Sequence, residues 1–441
     1  MDAVEQKIIQ MIDKNREEIL AFARDIYTHA ELGYKEFRTS EKFVTQMKKL
    51  GLKVEEELAV TGAKAYLNPQ KKETFSIALL GELDALRIPN HKYANPENQA
   101  AHCCGHHAQL AGVVGAAMAL SCPEVAEHLD GQLIFFAVPA EEYGEIEFKD
   151  RLRKEGRIKY GGGKCELLRI GAFDDIDLCL AHHSMPGEGI GIGNGSNNGF
   201  VSKVIRYKGK AAHAAGMPEK GINALSAASL GLQALGLNRE TFRDEDAVRV
   251  HPIMTKGGDL VNVVPDEAVL ETLVRAKNIE AIQDASKKVD RSFYAGAVAV
   301  GAELEIKTLP GYLPMLPVEP LEEFEYAAKA AAPGREIHIL SGHSGGSTDV
   351  GDVQHLMPVY TFRTGGIRGN VHQADFDVVD EEEAYIETAK IFAITAYRLL
   401  KDQAGRGREL KENYHPYFSS RKEYTDFMDQ FDSMKQYNQE S

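Results

Sequence analysis

Apolar positions along the 441-residue chain fall into runs of distinct periodicity. Near the start, Ile8, Ile9, Ile12, Ile19, Leu20 and Ala23 recur on one helical face, which predicts a helix from residue 2 to about 26. Farther on, the unbroken runs SIALL (Ser76 to Leu80), QLIFFAV (Gln132 to Val138) and LCLA (Leu178 to Ala181) predict short buried strands. Each run ends in residues capable of chemistry. The first leads into Gly81-Glu82-Leu83-Asp84, the second into Pro139-Ala140-Glu141-Glu142, the third into His182-His183. Open α/β sheets bind ligands at the carboxyl ends of their strands, so this shared ending says more than any one motif. Between the first two strands, Leu110, Ala111, Val114, Ala117, Met118 and Leu120 predict a helix that starts just after His107.

The middle of the chain changes character. Gly189 to Phe200 is rich in glycine and asparagine and reads as a linker or turn series. Beyond it the pattern predicts a strand over Val201 to Tyr207, a helix over Ala224 to Leu237, a strand over Ala268 to Val274, a helix over Ile279 to Ala295 and a strand over Ala302 to Leu309. Two strand-helix-strand units in so short a span suggest a small inserted α+β domain. Pro310 to Pro320, with its four prolines, reads as the return linker. Helix and strand patterns then resume to about Leu400, and the tail from Lys401 is polar, with helical and loop character. No repeat of solenoid period occurs.

Composition narrows the class. Hydrophobic residues make up 43% and charged residues 27%, as in a soluble globular protein long enough for two domains. A formal charge of −15 argues against nucleic acid or an anionic membrane as the main partner. An acidic substrate stays open, because a local arginine or metal outweighs net charge. The first twenty residues read as an amphipathic helix of mixed charge, so no secretory leader is expected, and no apolar stretch reaches membrane-spanning length. Five cysteines, few and odd in number, point to a reducing cytoplasm rather than a disulfide framework.

The densest chemistry lies in His102-Cys103-Cys104-Gly105-His106-His107. Imidazole and thiolate suit a borderline-soft divalent metal, and Gly105 lets the backbone turn two side chains toward one point. A structural zinc knuckle would look the same locally. At a turn, Glu141 and Glu142 could reach one cavity, one binding metal while the other takes a proton from water; the plainer reading is a solvated pair. His182-His183 reads either as ligand or as hydrogen-bonded structural histidine. Asp84 reads as a helix N-cap or as the acceptor that supports a metal-bound histidine. The loop Gly365 to His372 ends in another histidine but lacks a phosphate-loop pattern, and Ser341 to Asp349 lacks G-x-S-x-G. Cys103, Cys122, Cys165 and Cys179 read as buried or incidental thiols.

Taken in order, these residues resemble the M20-type metallopeptidases, in the amidohydrolase branch that includes aminobenzoyl-glutamate, hippurate and N-acyl-amino-acid hydrolases and the plant auxin-conjugate hydrolases. The resemblance runs from about Tyr27 to Leu400. It rests on His29-Ala30-Glu31-Leu32-Gly33-Tyr34, Glu82-Leu83-Asp84-Ala85-Leu86, Cys104-Gly105-His106, Pro139-Ala140-Glu141-Glu142, His183-Ser184-Met185-Pro186, Gly209-Lys210-Ala211-Ala212-His213-Ala214 and Asn262-Val263-Val264-Pro265-Asp266. Ser347-Thr348-Asp349-Val350-Gly351-Asp352-Val353 is most similar to the aminobenzoyl-glutamate group.

The resemblance implies an α/β, zinc-peptidase-like catalytic domain, a mixed sheet flanked by helices, formed by 1–198 and 311–441. A small ferredoxin-like lid and dimerisation domain would occupy 199–310. It implies that Cys104, His106, Glu142, His183 and His372 bind two divalent ions, manganese or zinc. Glu141 would be the general base, and Asp84 the residue supporting a metal-bound histidine. His213 in the lid would stabilise the carbonyl oxygen, Asn262 and Arg275 would hold substrate oxygens, and Arg368 the substrate carboxylate. The family's C-G-H-D or C-G-H-N here reads Cys104-Gly105-His106-His107, and Gln109 replaces a family histidine, so His102 or His107 could add a ligand or alter metal preference. The expected protein is a cytoplasmic homodimer that hydrolyses the amide bond of small N-acyl amino acids. The alternatives are a dipeptidase, a binding protein that kept the fold without activity, and a thiol enzyme using Cys103 or Cys104.

Overall fold

The computed structural model describes residues 1–438. The chain divides into two compact units, the first formed by Met1–Gly195, Leu316–Gly342 and Asp352–Arg421, the second by Ser196–Met315, His343–Gly351 and the chain from Lys422 onward. The second unit takes 343–351 and the C-terminal segment, which the expected boundaries gave to the catalytic domain.

The first unit is built on a mixed sheet. Its strands lie in the order Lys53–Leu58, Gly62–Leu67, Gln132–Val138, Ser76–Glu82, Leu178–Pro186, Val359–Arg368, Ile190–Ile192 and Ile337–Ile339, with Asp377–Val378 paired to Val359–Arg368. The central strands Gln132–Val138, Ser76–Glu82, Leu178–Pro186 and Val359–Arg368 run parallel. Every residue of Ser76–Glu82 and Gln132–Val138 is buried, because helices cover the sheet. The helix His106–Leu120 is likewise buried throughout, as its all-round apolar sequence requires.

Three local expectations are corrected. The single N-terminal helix is two, Ala3–Lys14 and Arg16–Thr28, divided at Asn15, whose side chain donates to the Met11 carbonyl 2.8 Å away and so competes with helix continuation. The glycine-rich stretch after residue 189 is not a plain linker. Ile190 and Ile192 are fully buried in the strand Ile190–Ile192, and the intervening Gly191 leaves room for Leu340. The tail ends in a strand, Ser433–Tyr437, rather than in helix and loop alone.

In the second unit that C-terminal strand pairs with Glu303–Tyr312, which pairs with Gly199–Lys208 and then Glu267–Ala276, all antiparallel. Helices Ala224–Asn238 and Ile279–Val300 supply its core together with Ile205, Tyr207, Leu270 and Phe293. Asp290 bridges the buried Lys203 and the tail residue Lys435, each at 2.7 Å. Asp290→Ala would strand the Lys203 ammonium in the core. A loss of about 3–5 kcal/mol is expected, read as a lowered denaturation midpoint.

Candidate metal centre

The predicted chemical residues converge at the carboxyl ends of the parallel strands. Gly105 makes the turn that allows it. Its φ of +97° suits glycine, and a Cβ there would lie 2.3 Å from the Ser184 hydroxyl. The turn delivers Cys104 and starts the helix with His106. On the neighbouring strand, alternation separates the tandem histidines. His182 points into the core, with Nε2 2.8 Å from Thr364 Oγ1 and its ring against Phe362, while His183 Nε2 lies 3.2 Å from Cys104 Sγ. His372, held by its backbone N–H donating to the Cys103 carbonyl, brings Nε2 within 3.3 Å of Cys104 Sγ and 3.2 Å of Glu142 Oε1.

Two sets of donors result, Cys104 with His106 and His183, and Cys104 with Glu142 and His372; within each set the ligand atoms lie within 4.8 Å of one another. Cys104 belongs to both. Its thiolate is therefore placed to bridge two ions. The residues fit such a pair chemically, as thiolate, imidazole and carboxylate are the donors a divalent transition metal takes. Buried His106 Nε2 and Glu142 Oε1 make no hydrogen bond among the described residues, which leaves them donors for an ion. Burial, reinforced by Glu142, pushes the Cys104 thiol up, a cost that a bound cation reverses. Burial and then Arg363 depress His183 to about 4, which keeps its imidazole neutral for ligation.

Asp84 is fully buried after the strand Ser76–Glu82 and caps no helix. Its Oδ1 stands 3.1 Å from His106 Nδ1, and its Oδ2 accepts the Glu142 N–H at 2.8 Å. Glu141 is buried, with Oε2 4.0 Å from His106 Nε2. With Glu82 and His106 it forms a third donor group.

Glu82 is a site residue that the sequence reading passed over. Its Oε2 lies 3.0 Å from His106 Nε2 and accepts from Gln109 Nε2 at 2.7 Å, and its Oε1 pairs with the fully buried Lys164 at 2.5 Å. Burial works against its charge, but Lys164 and His106 outweigh that and hold the carboxyl at about 2. The available signal was a glutamate closing an otherwise apolar strand, which needs a buried cation. Arg363 was missed too. It lies beside His183 in parallel register, and its guanidinium makes no hydrogen bond or ion pair with the described residues.

His102 and His107 fall outside the donor groups. His107 stacks on Tyr27, ring centroids 4.5 Å apart, and burial keeps both imidazoles neutral. None of the five cysteines forms a disulfide; Cys103, Cys165 and Cys179 are buried and Cys122 is partly so. Arg368 is exposed and pairs with Asp377 at 2.8 Å. In the second unit, His213 and Asn262 are neighbours. His213 bridges to Val263, and the Ala214 N–H donates to the Asn262 carbonyl. Arg275 reaches Ser347 Oγ at 3.3 Å and lies over the Phe200 ring.

Comparison with known proteins agrees with this arrangement. Residues 196–298 match the M20 peptidase dimerisation domain. The chain is 27% identical over 424 residues to a Xaa-Arg dipeptidase of Mus musculus, covering 90% of this chain and 86% of that protein. It is 27% identical over 337 residues to a p-aminobenzoyl-glutamate hydrolase of Escherichia coli, covering 74% of this chain and 65% of that protein. Among solved structures, the YXEP protein of Bacillus subtilis, a dinuclear metal-binding peptidase from the M20 family, superposes with a TM-score of 0.62 at 24% identity, covering 88% of this chain and 99% of that one. No helix among the described residues is long and apolar enough to cross a membrane. This chain belongs to the M20 family of metal-dependent peptidases and amidohydrolases.

Proposed function

We propose that the protein hydrolyses the amide bond of N-acyl or N-aroyl amino acids of the aminobenzoyl-glutamate kind, with Cys104, His106, Glu142, His183 and His372 holding two ions of manganese or zinc. The observation that carries this reading is the single Cys104 sulfur common to two compact donor sets. When bound, such a pair supplies Lewis acidity toward the carbonyl and acidifies water. Glu141 takes the water's proton and returns it to the leaving amine; it stands next in sequence to a ligand, which sets its reach. Asp84 keeps His106 in one tautomer through Nδ1. His213 donates to the oxygen that gains charge, Asn262 and Arg275 hold substrate oxygens, and Arg368 meets the substrate carboxylate. The second unit forms the interface of a homodimer, a reading supported by the description of the domain it matches. Absence of disulfides supports a cytoplasmic setting.

A dipeptidase is the second reading, favoured by the similarity to a Xaa-Arg dipeptidase. Assay of p-aminobenzoyl-glutamate, hippurate and Xaa-Arg dipeptides, before and after chelation, tests both. The expected result is turnover of the aroyl conjugate that chelation abolishes and manganese or zinc restores. Preferential cleavage of the arginyl dipeptides would establish the second reading. Turnover indifferent to chelation would point to thiol chemistry, and inertness of a metal-replete protein toward all of them to a binding role.

A further inference from the structure

The segment that presents Glu141 is a strained turn. Ala140 adopts φ +47°, in the left-handed region that a side chain disfavours. Such a conformation persists only where its surroundings impose it. Here the amides on either side of Glu141 in the chain are each pinned by a buried carboxylate. Ala140 N–H donates to Glu36 Oε1 at 2.8 Å, and Glu142 N–H donates to Asp84 Oδ2 at 2.8 Å. The Ala140 carbonyl in turn accepts from the Gly163 N–H at 3.1 Å.

Glu36 is itself held. It is fully buried, and its Oε2 accepts from the Thr61 hydroxyl at 2.7 Å. Gly33, three residues before it, packs so closely on the turn that a Cβ would lie 3.1 Å from Ala140 Cα and Cβ and 3.4 Å from Asp84 Oδ2. The glycine of the N-terminal signature and the glutamate that follows it thus both press on the loop of Glu141. Burying a carboxylate is unfavourable unless it is hydrogen-bonded, and burial, then Asp84, push Glu36 up to about 7. An apolar residue would fill that space without such a penalty, but it would leave the Ala140 N–H unbound.

We propose that Glu36 is a positioning residue for amide hydrolysis, locking the Ala140 turn so that the Glu141 carboxylate faces the reacting water. The inference rests on the reading of Glu141 as the proton acceptor. It makes Thr61 part of the same device, because the hydroxyl fixes the Glu36 rotamer.

The test uses the full-length, metal-replete protein with p-aminobenzoyl-glutamate as probe, measuring kcat, KM and metal content separately. Misdirecting a reacting group by about 1 Å costs on the order of 10²-fold. Glu36→Leu is therefore expected to lower kcat by about 10²-fold, with KM within about twofold and metal content unchanged. Glu36→Gln should recover most of kcat, since its amide oxygen can accept from Ala140 and its NH₂ can donate to Thr61. Thr61→Val should fall between the two. The proposal is overturned if Glu36→Leu keeps its kcat, if Glu36→Gln is as impaired as Glu36→Leu, or if the loss tracks metal release. If Glu36→Leu does not accumulate as folded protein, an unchanged kcat in Thr61→Val overturns it and a lowered one supports it. Glu141→Gln run alongside separates the two ideas. An inactive Glu141→Gln beside an active Glu36→Leu rejects the positioning role alone, whereas an active Glu141→Gln rejects the acceptor role on which it depends.

Discussion

Glu141→Gln is expected to lower kcat by about 10³-fold or more while the protein keeps its metal. The substitution is nearly isosteric and removes only the ability to take a proton. Glu141 lies in neither of the donor sets that share Cys104, so its loss leaves those ligands in place. Its side chain is buried within reach of His106 yet held on the loop beside Glu142, the arrangement a general base requires. Parallel measurement of turnover and metal content checks the claim. Full activity with metal bound would remove Glu141 from the role.

Replacing Cys104 should have the second large effect, and a different one. Because this sulfur belongs to both donor sets, Cys104→Ala subtracts a ligand from each ion at once. Metal content is expected to fall from about two ions per chain to about one or none, and activity with it. Both a thiol enzyme and a metal enzyme would be inactivated by this change, so activity alone cannot discriminate between them. Metal content does. A Cys104→Ala protein that retains its ions but loses turnover would favour a nucleophilic thiol.

Much of the centre was legible because buried strands announce themselves as unbroken apolar runs, and the residues at their ends are few. Ser76–Glu82, Gln132–Val138 and Leu178–Pro186 were each foreshadowed, and with them Asp84, Glu141, Glu142 and His183. What sequence alone could not separate was set by side-chain direction and long-range pairing. His182 and His183 differ only in which face of the strand they occupy. Glu82 and Lys164 are 82 residues apart and read as ordinary surface charges until the fold buries them together. Arg363 stands inside an apolar strand where periodicity carries no chemical signal, and its place beside His183 follows from register. Ser433–Tyr437 has no strong strand pattern of its own; the open edge of Glu303–Tyr312 and the Asp290–Lys435 pair hold it. Asn15 broke a helix that hydrophobic spacing alone would have continued.

The most direct test of the shared-sulfur centre is anomalous diffraction from crystals of the metal-loaded protein, collected at the edge of the bound metal. The account predicts two peaks about 3.5–4 Å apart, both at bonding distance from Cys104 Sγ, one near His106 and His183 and the other near Glu142 and His372. A single peak, or ions bound away from Cys104, would contradict it.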